Sequence, residues 1–202
     1  MKKLVLASLN PGKLKELKVL LADVPVELIG LEAFPGLAPA VEYGRTFFEN
    51  AFLKALHYAN TTGALVLADD SGLDVSALGG KPGVESARFA GVGADDRKNN
   101  EKLLALLGAC GSPPPWPARY RCVLVVKGLG QTYWTRSGIC EGEIRPEPDG
   151  DGGFGYDPYF YLPDRNLSMA RISPEEKNLI SHRGRALEAL RGDLAAWLEL
   201  AG

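Results

Sequence analysis

One segment constrains this chain more than any other: the five apolar residues Ala64-Leu65-Val66-Leu67-Ala68, followed at once by Asp69-Asp70-Ser71-Gly72. An apolar run of that length bounded by polar residues reads as a buried strand. Two acids at its carboxyl end are expensive to desolvate unless a cation compensates them. Hard oxygen donors of this kind suit magnesium, which keeps waters and phosphates in its shell. Adjacent residues on an extended chain point in opposite directions, so only one of the two acids need face a ligand. The competing reading is a turn rich in Asp and Gly, common at strand ends.

The rest of the chain arranges helices and strands around that segment. Lys3 to Ala7 is a short apolar strand, and Asn10-Pro11-Gly12 precedes a helix carrying Leu14, Leu17, Leu20 and Leu21. Val26 to Ile29 reads as a second strand and 30 to 45 as a loop. Thr46-Phe47-Phe48-Glu49 matches a capping box at the start of a buried helix that Gly63 ends. Asp95 to Leu107 is another amphipathic helix. Residues 108 to 118, with four prolines, read as a loop or as a junction between two lobes. Arg121 to Val126 and Gln131 to Gly142 flank Gly128-Leu129-Gly130, a hairpin signal. Ser173-Pro174-Glu175-Glu176 starts a helix that runs to Leu200 with a break at Ser181. The pattern predicts a mixed α/β sheet with helices around it, a single domain over 1–202 in two lobes with no clean linker, and a cleft between the lobes as the place for a ligand.

Composition narrows the function. A net charge of −2 argues against a dedicated nucleic-acid binder. Cys110, Cys122 and Cys140, without a CxxC pair and beside only two histidines, do not read as a disulfide framework or a zinc site. The N-terminal apolar run is too short for a signal peptide or a membrane span, so the expectation is a cytoplasmic protein without membrane association.

Three further segments can carry chemistry. Ser8-Leu9-Asn10-Pro11-Gly12-Lys13 joins a strand to a helix, where amides plus Ser8, Asn10 and Lys13 can surround an anion; the Walker pattern is absent, and the alternative is a capped helix with a solvated lysine. Gly152-Gly153-Phe154-Gly155-Tyr156-Asp157-Pro158 sets aromatics among glycines, where Phe154 can stack on a base; the alternative is a tight turn with core aromatics. Lys177 with Ser181-His182-Arg183 is a basic cluster or a solvated helix face. Glu42 and Glu49 are candidate additional carboxylates.

Together these segments resemble the inosine triphosphate pyrophosphatase family of house-cleaning enzymes. The matching stretches are Ser-x-Asn-x-x-Lys at 8 to 13, Thr-Phe-Phe-Glu-Asn-Ala at 46 to 51, Ala-Asp-Asp-Ser-Gly-Leu at 68 to 73, Leu-Gly-Gly-x-Pro-Gly at 78 to 83, the glycine-rich segment at 152 to 158, and Glu-Lys-Asn-x-x-Ser-His-Arg at 176 to 183. The resemblance implies an elongated α/β fold with a central mixed sheet flanked by helices, two lobes with a cleft, and a homodimer. It implies Mg²⁺-dependent hydrolysis of ITP, dITP and XTP to the monophosphate and pyrophosphate by water attack at the α-phosphorus. Carried over by position, Ser8, Asn10 and Lys13 contact the triphosphate, Glu42 and Asp70 serve the metal, and Asp70 activates water. Ser71 touches substrate, Phe154 stacks on the base with Gly155 and Tyr156 also in contact, Asp157 lies beside it, and Lys177, His182 and Arg183 reach its edge or the phosphates. Arg171 departs from relatives that often have an acid there.

The chemistry suits those roles. Cationic side chains and helix-terminal amides stabilise a leaving pyrophosphate. Lys and Arg offer only N–H donors, which satisfy the 6-keto oxygen of hypoxanthine or xanthine; the 6-amino group of adenine meets donor with donor, at roughly 1–3 kcal/mol per unpaired group. A septum-inhibitor-type pyrophosphatase, which prefers pyrimidine triphosphates, lacks the Ser-His-Arg ending. A nucleotide sensor without turnover and a nucleic-acid-processing metal enzyme are the more distant rivals.

Overall fold

A computed structural model describes the backbone of residues 2–200 and the side chains of residues 2–194. Its elements are β1 (Lys2–Leu6), α1 (Pro11–Leu20), β2 (Val26–Gly30), α2 (Phe47–Thr62), β3 (Leu65–Val75), β4 (Lys81–Pro82), α3 (Asp96–Gly108), β5 (Trp116–Lys127), β6 (Tyr133–Ile144), β7 (Phe160–Leu162), β8 (Leu167–Ser168), α4 (Pro174–Ile180) and α5 (His182–Leu200), with short 3₁₀ turns between some of them. The strands form one open mixed sheet in the order β2-β1-β3-β5-β6-β7-β8, with β4 paired to β3. β1 is parallel to both β2 and β3, whereas β6, β7 and β8 pair antiparallel. This is the mixed α/β sheet flanked by helices that the pattern predicts.

The helix ends follow local chemistry. Asn10 caps α1 through its side-chain oxygen on the Lys13 N–H, and Pro11 opens the helix where no intrahelical donor is needed. Thr46 and Glu49 form the reciprocal capping box of α2, and Gly63 ends it in the left-handed conformation at φ 68°. The expected break at Ser181 is present, separating α4 from α5.

The residues group into two compact units. The first contains the chain through Asp70, then Cys122–Gly138, then Arg183 onward; the second contains Ser71–Arg121 and Ile139–His182. The loop near 108 to 118 therefore divides nothing. It lies wholly inside the second unit, where Trp116 anchors its end in the core. The first unit packs Leu4, Leu6 and Leu67 with Leu17 of α1, Leu21 that caps its end, and Leu187 and Leu190 of α5. The second packs Leu73, Val75, Leu103, Leu107, Ile144 and Phe160. None of the three cysteines is in a disulfide, and Cys122 and Cys140 are buried.

β3 is longer than its apolar run. The strand continues through Asp69, Asp70, Ser71 and Gly72 to Val75, so the acidic pair sits inside the strand and not in a turn at its carboxyl end. The ladder continues because β4 pairs with its far end, Asp74 opposite Pro82 and Val75 opposite Lys81.

Candidate active site

In the first unit, mid-strand placement buries both acids, and their side chains find different partners as alternation requires. Asp69 Oδ2 meets Lys13 Nζ at 3.0 Å and the Arg183 guanidinium at 3.4 Å. Arg183, only 1% exposed, also pairs with Glu16. Burial alone would raise the Asp69 pKa, but Lys13, Arg183 and Lys54 overturn that and hold the carboxyl well below the usual carboxylate range. Asp70 accepts from Asn50 Nδ2 at 3.2 Å, and Asn50 is fixed in turn by the Gly44 N–H on its Oδ1 at 2.7 Å. Desolvation dominates at Asp70, with repulsion from Glu42 and Asp69 added; despite Lys54 and Lys13, its pKa is pushed up to about 6. Lys54 connects the group. Its ammonium donates to the Asp69 carbonyl at 2.9 Å and pairs with Glu42 at 3.1 Å. Burial would lower its pKa, yet Asp69, Glu42 and Asp70 raise it, so Lys54 stays cationic.

The second unit holds a different cluster. Asp157, 3% exposed, accepts from Lys177 Nζ at 2.7 Å and from the Phe154 N–H at 2.9 Å on Oδ2, and from the Tyr120 hydroxyl at 3.1 Å on Oδ1. Lys177 also lies over the half-buried Phe154 ring, 4.8 Å from its centroid. Gly153 permits the turn: at φ 74° an L side chain is strained, and a Cβ there would sit 2.1 Å from Asp157 Oδ2. The Gly155 N–H donates to Asp96 at 2.7 Å, and its carbonyl accepts from Asn100 at 2.9 Å. His182 is buried and stacks on Tyr120, with ring centroids 4.8 Å apart and planes 16° apart.

One compact group thus gathers acids and cations, and the other an aromatic ring, a lysine and a buried carboxylate. Residues 4–193 match the model of the Ham1 family. The chain belongs to the Ham1 family. This Ham1-family chain is 50% identical over 187 residues to a dITP/XTP pyrophosphatase of Desulforamulus reducens, spanning 92% of each. It is 46% identical to the Geobacter sulfurreducens dITP/XTP pyrophosphatase, over 96% of this chain and 97% of that one. A solved Ham1 protein from Coxiella burnetii superposes with a TM-score of 0.89 at 42% identity, covering 97% of this chain and all of that one.

The Ham1-family chain places the sequence-derived candidates unevenly. Lys13, Glu42, Asp70 and Arg183 fall in the first cluster, and Phe154, Asp157, Lys177 and His182 in the second. Lys13 is not the solvated lysine of the alternative reading, since Asp69 holds it. Ser8 and Asn10 sit at the start of α1, where Ser8 Oγ accepts from the Asn10 N–H at 3.2 Å. Glu49 caps the start of α2: its Oε2 accepts the Arg45 and Thr46 N–H groups at 2.6 and 3.1 Å. The Tyr156 side chain is core, with its hydroxyl on the Ser86 carbonyl at 2.8 Å. Ser71 is half-buried in β3. Arg171 pairs with Asp149, so the departure from the family pattern is accommodated by a local acid.

Sequence reasoning missed Asn50, Lys54, Glu16 and Tyr120. A signal existed for two of them. Asn50 and Lys54, four apart, lie among Phe47, Ala51, Ala55 and Tyr58 on the buried face of α2, where polar residues need partners. Glu16 and Tyr120 carry no such mark, because their partners are distant in sequence.

Proposed function

We propose that this chain hydrolyses non-standard purine nucleoside triphosphates, ITP, dITP and XTP, to the monophosphate and pyrophosphate, with Mg²⁺. The observation that carries the reading is the cluster around Asp69 and Asp70, where one buried acid is fully compensated and its neighbour is left basic. The dITP/XTP pyrophosphatase names of the relatives support the substrate class.

The donor set fits Mg²⁺. Glu42 and Asp70 offer hard oxygens, and Glu42 is among the groups pushing Asp70 up, a repulsion that a divalent cation relieves. Among the described residues no three His, Cys, Asp or Glu side chains converge on one position. Two carboxylates with the remaining positions left to water and phosphate match the usual habit of Mg²⁺. When bound, the ion neutralises phosphate charge and makes water more acidic.

The residues supply the rest. Asp70 takes a proton from the water that attacks the α-phosphorus, and a buried carboxylate in reach of that water is a suitable general base. The α-phosphorus gains the water oxygen and releases its bond to the bridging oxygen, so pyrophosphate leaves with that electron pair. Lys13 and the first-turn amides of α1 stabilise that charge. In the second unit Phe154 stacks on the base, and Lys177 presents a donor suited to a 6-keto oxygen and mismatched to a 6-amino group. In this reading Arg183 acts by holding Asp69, and through it Lys13. The reading also takes the protein to be a cytoplasmic homodimer acting on free nucleotides.

The test is a panel of nucleoside triphosphates with Mg²⁺, scoring pyrophosphate separately from orthophosphate. ITP and XTP should release pyrophosphate well above ATP. Binding of ITP without turnover would favour a sensor instead.

A further inference from the structure

We propose that Tyr120 is a positioning residue that sets purine selectivity by fixing Asp157, Lys177 and His182 together. The proposal rests on the base-recognition role given above to the second unit.

Tyr120 is buried, and each part of its side chain has a separate task. The hydroxyl donates to Asp157 Oδ1 at 3.1 Å. One ring contact is the near-parallel stack on His182, and another is Phe160 at 4.4 Å between centroids. Phe160 is wholly buried, so Tyr120 is pressed into place by the core. The partners of Asp157 divide by oxygen. Lys177 and the Phe154 N–H are on Oδ2, and Tyr120 is on Oδ1. A carboxylate turns about its terminal torsion at small cost, and a donor on Oδ1 blocks that turn. Oδ2 then stays aimed at Lys177, and the Lys177 ammonium stays over Phe154. Burial and the Asp157 charge push the Tyr120 phenol well up, so it remains protonated and keeps donating. The ring meanwhile fixes the plane of the His182 imidazole. One residue outside the recognition set thus sets the direction of two of its cationic or polar groups, and selectivity between a 6-keto and a 6-amino purine depends on direction.

Tyr120→Phe tests this, because it keeps both ring contacts and removes only the hydroxyl. The ITP-to-ATP ratio of kcat/KM should fall about 10-fold, the scale of a hydrogen bond to a charged group, with the loss for ITP mainly in KM. The thermal midpoint should move little. In a Lys177→Met background the same substitution should leave the remaining ratio unchanged, since Tyr120 acts through Asp157 on Lys177. The His182 ring protons, distinguished from those of His57, should keep their ring-current shift in Tyr120→Phe and lose it in Tyr120→Leu. The proposal is overturned if Tyr120→Phe lowers ITP and ATP turnover equally, if it leaves the ratio within twofold of wild type, or if its effect is undiminished without Lys177. A wild type that does not prefer ITP over ATP defeats the functional reading itself, a result separable from a selective wild type whose Tyr120→Phe variant stays selective.

Discussion

Lys13 Nζ and Asp69 Oδ2 form a 3.0 Å ion pair in which the carboxylate is 1% exposed and also receives Arg183. Asp69 is thus the anchor of Lys13, the lysine proposed above to stabilise the leaving pyrophosphate. Asp69→Asn removes a carboxylate charge facing both the buried Arg183 and Lys13, and uncompensated buried charge is costly; the loss should be about 3 kcal/mol in urea unfolding with the slope unchanged. Because the Asp69 pKa is lowered in the fold, its contribution is present above the ordinary carboxylate value and fades as pH falls below it. An equally stable Asp69→Asn protein at pH 7 would show that the pair is not anchoring anything.

Asp70 behaves in the opposite sense. Its pKa in the fold, about 6, lies above the unfolded value. The associated stability is therefore complete below about pH 4 and lost as pH rises through about 6. In EDTA, Asp70→Asn should match wild type near pH 4.5 and exceed it by about 2 kcal/mol at pH 7.5, following roughly 1.4 kcal/mol per pKa unit. Mg²⁺ should raise the wild-type melting temperature at pH 7.5 and leave that of Asp70→Asn unmoved, while turnover falls by roughly 10²–10⁴. A stability difference that does not grow between pH 4.5 and 7.5 would remove the buried-charge account of Asp70.

Glu49 separates local structure from chemistry. As a helix cap, Glu49→Ala should cost about 1 kcal/mol of stability and leave kcat with saturating Mg²⁺ within a few-fold. A large fall in kcat, or a higher Mg²⁺ requirement, would return Glu49 to the site.

Much of this was legible where the physics is local. The capping box at Thr46 and Glu49, the Asn10-Pro11 start, the Gly63 stop and the break at Ser181 each depend on residues within a few positions. The acidic pair was harder. Asp69-Asp70-Ser71-Gly72 has the composition of a turn, and what keeps it in a strand lies far off: Lys13, Asn50 and Arg183 around the acids, and β4 against Val75. The proline-rich loop at 108 to 118 looked like a junction because composition marks irregular backbone, not unit boundaries. Arg183 read as a ligand-facing cation, yet its surroundings make it a buried counter-charge to Glu16 and Asp69.

Base affinity, base selection and architecture should therefore separate among Phe154, His182 and Arg183. Phe154→Ala should weaken ITP, XTP, GTP and ATP alike, by the 1–3 kcal/mol or so of base–aromatic stacking. His182→Ala should narrow the ITP-to-ATP ratio of kcat/KM. Arg183→Ala should lower stability and turnover with the ratio kept. The comparison needs all four substrates in each variant. A Phe154→Ala protein that loses ITP activity but keeps ATP activity would contradict this division.

The central claim is water attack at the α-phosphorus with pyrophosphate as leaving group. Hydrolysis of ITP by the Mg²⁺-loaded protein in ¹⁸O-labelled water, read by mass spectrometry of both products, measures it directly. One ¹⁸O should appear in IMP and none in pyrophosphate, with the signal nearly abolished in Asp70→Asn. Label in pyrophosphate, or IDP and labelled orthophosphate as first products, would contradict the account.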